Sequence, residues 1–362
     1  MKTRIIGFES SCDETAVAVL EANERGELTV LSSVVASQVD THRLYGGVVP
    51  EIASRAHIDA ISALTYEALE RARLTPKELS AVAVTSHPGL IGALLVAVNF
   101  AKSFAAANGL PLVSVDHMKG HIASAYLLSE APKPPFLSLA ISGGHTAFYR
   151  VESYTDYAVI GQTRDDAIGE AFDKIGRIIG IPYPAGAGFD RLACEGFKAA
   201  TGMESDYYAA YKKSAAYRDA RYRLPSPALA DGSLDFSFSG LKTAAINLLH
   251  HFEQTGEDFD RALFAARYTY EAVEAVVKKA EAALLENTHL SALVVSGGVA
   301  ANSHIRARLA ALCKRLGKSL YLPPLSLCGD NGAMIAAQGY YEFVSGKRAD
   351  SRLNASASDD AE

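Results

Sequence analysis

A surplus of positive charge is the first thing this chain lacks. Its 362 residues carry 35 Lys and Arg against 41 Asp and Glu, a net charge of -6. Neutralising phosphates normally needs a basic face, so the balance excludes an autonomous, high-affinity nucleic-acid binder. An enzyme that meets RNA briefly or through a partner stays open. Cysteine is also scarce. Cys12, Cys194, Cys313 and Cys328 form no CxxC and no disulfide-like spacing, as expected in a reducing cytoplasm. Cys12 lies in a polar motif without an evident base nearby and reads as a small packing residue. Long apolar runs are missing too. The longest, Gly89 to Ala107, is interrupted by Asn99 and Lys102 and predicts a buried helix, because a membrane span needs about 20 uninterrupted apolar residues. Residues 1–8 (MKTRIIGF) enter a strand directly and leave no room for a signal or transit peptide. The expectation is a soluble, cytoplasmic protein with no membrane partner.

What is present suffices for two cored domains: 362 residues, 49% hydrophobic and 21% charged. Short apolar runs at Arg4–Phe8 and Ala16–Leu20 flank the polar stretch Glu9-Ser10-Ser11-Cys12-Asp13-Glu14-Thr15, which predicts a hairpin continued by Leu28–Ser37. A helix over Ile52–Arg73, a strand at Val82–Ser86, a helix over Leu90–Asn108 and a strand at Leu112–Val115 follow. After Lys133-Pro134-Pro135 the pattern restarts. Phe136–Ile141 and Thr146–Val151 pair across Ser142-Gly143-Gly144-His145, and a strand follows near Tyr157–Gly161. Helices are predicted at about Ala167–Ile179, Leu241–His251, Asp258–Leu285, Asn302–Leu316 and Asn331–Val344, with strands at Leu293–Ser296 and Leu320–Leu322. This duplicated α/β plan resembles the actin, Hsp70 and sugar-kinase (ASKHA) superfamily, in which paired glycine turns clamp phosphates across an interdomain nucleotide cleft. The domains are expected at 1–132, joined by a returning helix at about 331–346, and at 133–330. Residues at about 195–224 read as a surface helical insertion, and 350–362 as a disordered tail.

His117 and His121, in Asp-His-Met-Lys-Gly-His, are the most informative pair. On a helix started after the preceding strand, i and i+4 share one face and can share a divalent metal. The glutamate of the HExxH zinc proteases is missing, since Met118 and Lys119 follow His117. A third ligand must come from elsewhere, and Asp330, before the last helix, is a candidate because that helix returns toward the first domain. As an alternative, a carboxylate there caps the helix. Asp173 reads either as a surface acid or as a ribose ligand. Asp190 follows the glycine-bearing segment Tyr183–Phe189, and Asn302 either caps a helix or presents its amide to a nucleotide.

Taken in order, SSCDET, YGGVVPEIASR, HPGLIGALLVA, HMKGH, SGGHT, GEAFDK, YPAG, FSFSGLKT, SGGVAAN and CGDNGAM closely resemble the TsaD/Kae1/Qri7 family, from Gly7 to about Tyr341. SGGHT and GGVVPE match its bacterial form. The resemblance implies transfer of threonylcarbamoyl from threonylcarbamoyl-AMP to N6 of adenosine 37 in ANN-decoding tRNAs. It implies metal ligation by His117, His121 and Asp330, with Fe²⁺ favoured and Zn²⁺ permitted. It places substrate contacts at Ala140, Ile141, Ser142, Gly143, Gly144, Asp173, Gly186, Asp190 and Asn302. It also implies a paralogous TsaB-type partner and a TsaE-type P-loop ATPase. Asp13 and Glu14 are candidates for taking the N6 proton or ordering the site. One departure is visible: after Tyr-Pro the family has Gly-Gly-Pro, whereas here Ala185-Gly186-Ala187-Gly188 stands. The alternatives are an ATPase or kinase of the same superfold, or a metalloprotease.

Overall fold

The structure is a computed structural model that describes residues 2–229 and 231–358. Its first half holds β1 (Thr3–Glu9), β2 (Glu14–Ala22), β3 (Leu28–Ser37), α1 (Val39–Arg43), α2 (Pro50–Ala72), β4 (Ala81–His87), α3 (Ile91–Asn108), β5 (Leu112–Asp116) and α4 (His117–Ala123). The second holds β6 (Phe136–Ile141), β7 (Thr146–Val151), β8 (Tyr157–Gln162), α5 (Ile168–Ile178), α6 (Gly186–Thr201), α7 (Tyr208–Tyr211), α8 (Ala215–Arg218), α9 (Ser239–Thr255) and α10 (Arg261–Glu286). It closes with β9 (Ala292–Ser296), α11 (Ser303–Leu316), β10 (Ser319–Tyr321) and α12 (Gly332–Val344).

The sheets run β3-β2-β1-β4-β5 and β10-β9-β6-β7-β8. In each, three antiparallel strands are followed by two parallel ones, so the second order is the first repeated in mirror listing. From Ile5 to Phe8 both faces of β1 are covered, which is why that run is apolar. Ile6 and Phe8 point into a core shared with α2 and α3, whereas Ile5 points toward α12. At Gly7 a methyl group would lie 2.5 Å from the Gly332 oxygen and 2.6 Å from the Ala336 nitrogen. The last helix therefore rests on the first strand backbone to backbone, and only glycine permits that approach.

Three expectations need correction. The stretch at about 195–224 is not a surface insertion. Its start continues α6, and Tyr208, Tyr211 and Tyr222 are buried in the second half's core. Phe197 stacks on Tyr207 with centroids 4.6 Å apart, so the tyrosines of this segment supply aromatic core area. The tail is not disordered over its described part. Ala349 N–H donates to the Leu112 oxygen (2.8 Å), Lys102 Nζ to the Leu353 oxygen (3.0 Å) and Ser356 N–H to the Ser86 oxygen (2.9 Å). Leu353 and Ala355 pack on the first core; residues 359–362 lie outside the described residues. Finally, α3 is buried on one face only. Leu94, Ala97 and Val98 face the sheet while Ile91, Asn99 and Ser103 are exposed. Among the described residues it is the one helix long and apolar enough to cross a membrane, and packing on the sheet accounts for that apolar face.

Candidate active site

Asp116 ends β5 and caps α4, its Oδ1 accepting from Met118 N–H (2.7 Å) and Lys119 N–H (3.1 Å). The cap starts the helix at His117 and sets His121 one turn on, with ring centroids 4.5 Å apart. Gly120, on the same short helix, lets α12 approach: a methyl there would meet Ile335 Cδ1 at 2.6 Å. That contact carries the start of α12 to the histidines. Asn331 is its cap, accepting from Met334 N–H at 2.9 Å, so Asp330 is released from capping. Asp330 Oδ1 stands 3.3 Å from His121 Nε2 and 3.6 Å from His117 Nε2. One donor atom from each of the three residues lies within 4.8 Å of the others.

His121 is fully buried, yet neither ring nitrogen has a hydrogen-bond partner; Asp330 is close but poorly aligned. An orphaned buried imidazole is costly. A cation held between two imidazoles and a carboxylate removes that cost, and the donor set suits a divalent transition metal. The residues present fit the group.

Glu9, at the end of β1, is one of the site residues that the sequence alone does not reveal. Its Oε2 lies 3.0 Å from His117 Nδ1 and accepts from Thr85 Oγ1 (2.6 Å), while Oε1 accepts from Ser11 N–H (2.5 Å). Ser11 Oγ is also 3.1 Å from His117 Nδ1. With Nδ1 held by Glu9, Nε2 is the nitrogen turned to Asp330, the arrangement that orients a metal-ligating histidine. Burial opposes charge on His117, but Glu9 and Asp330 outweigh it and push the imidazole up to about 9. The available signal was a carboxylate closing the apolar, covered run Ile5–Phe8.

The β1–β2 turn is locked from several sides. Leu90 N–H donates to the Ser11 oxygen (2.8 Å) and Ser10 Oγ to the Ala93 oxygen (2.8 Å). His57 bridges Thr15 Oγ1 (2.7 Å) and the Cys12 oxygen (3.0 Å). Burial, then Asp13 and Asp330, push the Cys12 thiol far above its ordinary range, against a role as a thiolate nucleophile. Burial, then Asp330 and Asp13, push Glu14 up to about 9. Asp13 is reached from the second half by Tyr183 Oη at 3.5 Å.

The opposing turn follows β6. Ser142 N–H donates to the His145 oxygen (2.8 Å) and His145 N–H to Ser142 Oγ (3.1 Å), leaving Gly143 and Gly144 exposed with open space above their Cα atoms. Gly297, at φ +90°, brings the turn after β9 against it; a methyl would lie 2.3 Å from the Ile141 oxygen. Burial, then the charges of His117 and His121, push His145 down to about 4, which makes it a neutral imidazole beside the donor set.

Residues 29–337 match the family model for TsaD, tRNA N6-adenosine threonylcarbamoyltransferase. The Latilactobacillus sakei enzyme of that name is 46% identical over 356 residues, 98% of this chain and 95% of the relative. The Geobacillus thermodenitrificans enzyme is 46% identical over 352 residues, 97% and 95% of the two chains. The chain belongs to the TsaD family. Solved structures agree on the ASKHA fold. Full-length HypF in its phosphate- and nucleotide-bound form matches with TM-score 0.56 at 14% identity, over 95% of this chain and 47% of HypF. The (R)-2-hydroxyglutaryl-CoA dehydratase component A of Acidaminococcus fermentans gives 0.50 at 12%, over 94% and 99%.

As a TsaD-family chain it is a tRNA-modifying acyltransferase, and the kinase and metalloprotease alternatives lose their support. The remaining expected substrate contacts fall into two groups. Ala140 and Ile141 are buried at the end of β6, leading into the Ser142–Gly144 turn beside the donor set. Asp173, on α5, accepts from Ala185 N–H at 2.7 Å and so fixes the segment that carries Tyr183. Gly186 opens α6 rather than a loop. Asp190, one turn along, accepts from Ser303 N–H and Oγ, both at 3.0 Å. Asn302 caps α11, with Oδ1 accepting from Ile305 N–H (3.0 Å), so its capping role is realised. A cavity of about 410 Å³ opens beside Tyr183, between Arg43, Arg191 and Arg261, away from the histidine pair.

Proposed function

We propose that this TsaD-family chain transfers threonylcarbamoyl from threonylcarbamoyl-AMP to N6 of adenosine 37 in ANN-decoding tRNAs, with one divalent metal held by His117, His121 and Asp330. The observation that carries the metal is the fully buried His121, whose nitrogens lack partners beside Asp330. When bound, the metal supplies Lewis acidity and a template for the donor's oxygens. Two imidazoles and one carboxylate favour Fe²⁺, with Zn²⁺ the alternative.

This chain's own residues do the rest. Glu9 and Ser11 hold His117 in one tautomer. The exposed amides of Gly143 and Gly144 cradle the donor's phosphate, and Asp173, Gly186, Asp190 and Asn302 receive its nucleoside. Attack by N6 forms an N–C bond as the C–O bond to AMP breaks, so one proton must leave the amine. Burial and the neighbouring acids Asp330 and Asp13 push Glu14 up to about 9 in the metal-free site, which favours Asp13, buried and within reach of Tyr183, as the base we assign. The functional domains are 1–132 with 331–346, and 133–330, with the cleft between them. The net charge of -6 supports tRNA binding shared with TsaB-type and TsaE-type partners in the cytoplasm.

The test supplies purified chain and partners with threonylcarbamoyl-AMP and tRNA and measures the modified nucleoside by mass spectrometry. Loss of product in His117→Ala/His121→Ala is expected. Wild-type turnover in that variant removes the metal role. Hydrolysis of ATP by the chain alone, with no tRNA product, returns the kinase reading. Metal analysis of anaerobically purified protein decides between iron and zinc.

A further inference from the structure

Three arginines from three different elements line one cavity between the two halves of the molecule. Arg43 ends α1, Arg191 sits on α6 and Arg261 opens α10. Their convergence is built into the packing. Gly196 lets α6 close on α10, because a methyl there would overlap the Ala262 carbonyl oxygen, so Arg191 and Arg261 share a wall. In the first half, buried His42 accepts from Val49 N–H (3.3 Å) at Nδ1 and meets Gln38 Oε1 (3.1 Å) at Nε2. These bonds fix the turn that carries Arg43, whose Nε donates to the Tyr183 oxygen of the other half (3.2 Å).

The positive charge is left open. Arg191 and Arg261 have no ion pair among the described residues. Arg43 has only the exposed Asp40 at 3.0 Å, a pair of small worth in water. Glu195 is the one acid in the wall, in a chain whose net charge is -6. Arg177 adds a fourth guanidinium nearby, lying against Gly46 three residues beyond Arg43. The cavity, about 410 Å³, is large enough for a nucleotide-sized group, and each guanidinium presents a planar fork that matches phosphate oxygens. It is separate from the donor's subsite. Ala187, Gly188, Arg191 and Glu195 line it from α6, whereas Gly186 and Asp190 do not. Tyr183 stands between the two, its carbonyl held by Arg43 and its hydroxyl 3.5 Å from Asp13 Oδ2.

We propose that Arg43, Arg191 and Arg261 grip the phosphodiester backbone of the substrate tRNA beside the base that enters the cleft. The inference rests on tRNA being the acceptor. Bases of an unpaired RNA loop can be splayed into a site, and the backbone then runs along the protein within reach of such forks. Tyr45, two residues from Arg43 and half exposed, offers a face on which a neighbouring base stacks. A chain of net negative charge gains most from phosphate contacts concentrated where the substrate enters.

Full-length chain with its partners is titrated with an ANN-decoding tRNA at several salt concentrations, and binding is read by fluorescence anisotropy. Arg43→Gln, Arg191→Gln and Arg261→Gln should each weaken binding about tenfold and flatten the salt slope by about 0.7. All three side chains are exposed, so the melting profile should not move. Glu195→Gln should tighten binding about two- to threefold, because it removes the one like charge that faces the phosphates. An unchanged tRNA Kd and salt slope in the triple arginine variant overturns the proposal. So does weaker binding of threonylcarbamoyl-AMP at unchanged tRNA affinity, which assigns the arginines to the donor. Loss of a partner chain at unchanged tRNA affinity overturns it as well and assigns them to a protein interface. Wild-type complex that binds tRNA through these arginines but forms no modified nucleoside removes the transferase reading and leaves the phosphate grip standing. Wild-type complex that binds no tRNA removes the grip.

Discussion

Glu9 Oε2 lies 3.0 Å from His117 Nδ1, joining the first strand to a helix 108 residues later. The pair is buried, and the carboxylate fixes which nitrogen of His117 faces Asp330. Glu9→Gln keeps the shape but loses the charge, so metal affinity should fall about 10–100-fold with the fold retained. Calorimetric titration of metal-free protein measures this. An unchanged Kd would show that Glu9 is only a packing group.

Protons and the proposed metal would compete at the same imidazole. His117 of the metal-free protein is pushed up to about 9, above its ordinary 6.5. Below 9 an arriving ion must displace a proton, so affinity should rise about tenfold per pH unit between pH 7 and 8. The sign for folding is opposite. A raised histidine pKa stabilises the metal-free fold fully below about 6.5, and that contribution fades as pH climbs through 9. Metal affinity that stays flat with pH contradicts the ion pair.

Glu14 makes the reverse statement. Its pKa of about 9 against 4.5 means that the fold prefers the protonated acid, so stability drains away as pH rises from 4.5 toward 9. Glu14→Gln mimics the neutral form and should gain about 1–2 kcal/mol at pH 8, less than the full shift implies because the group is part-exposed. Urea denaturation across pH should show that gain vanish near pH 5. A loss of stability at pH 8 would mean that Glu14 is ionised.

At Gly7 no such tuning is available. A methyl group 2.5 Å from the Gly332 oxygen must push α12 off the first sheet. Gly7→Ala should cost about 1–3 kcal/mol from overpacking and also weaken the metal site through Asp330. Loss of stability without loss of metal affinity would separate the helix from the ligand it precedes.

The tail contributes to the stability of the first half. Ending the chain after Ala349 removes the Lys102–Leu353 and Ser356–Ser86 hydrogen bonds and the packing of Leu353 and Ala355. A loss of about 1–3 kcal/mol is expected in thermal or urea unfolding. An identical melting profile would mean that the tail contributes nothing.

Much of the architecture was legible because strand and helix periodicities are local, and both hairpins are bounded by polar turns. His117 and His121 were readable as a pair through their i, i+4 spacing, and Asp330 became a candidate once the last helix was assigned to the first domain. Glu9, Ser11 and His145 were not legible, because each acquires its role from a partner far away in sequence. The 195–224 segment misled because tyrosine and charge together resemble a surface, whereas the rings face inward. The tail misled for a related reason: its Ser, Ala and Asp carry little apolar area, but its backbone pairs with the edge of β5 and the end of β4.

The backbone contact of α12 with β1 also dictates when the molecule can mature. During synthesis the first sheet emerges early, but one face of Ile5, Leu20 and Val113 waits for a helix that begins at Gly332. Until the ribosome has passed Gly332, that half presents an uncovered apolar face and lacks Asp330 beside His117 and His121. Loading of the proposed ion would therefore follow the emergence of this helix, and a chain terminated before it would lack both the covering helix and the proposed third ligand.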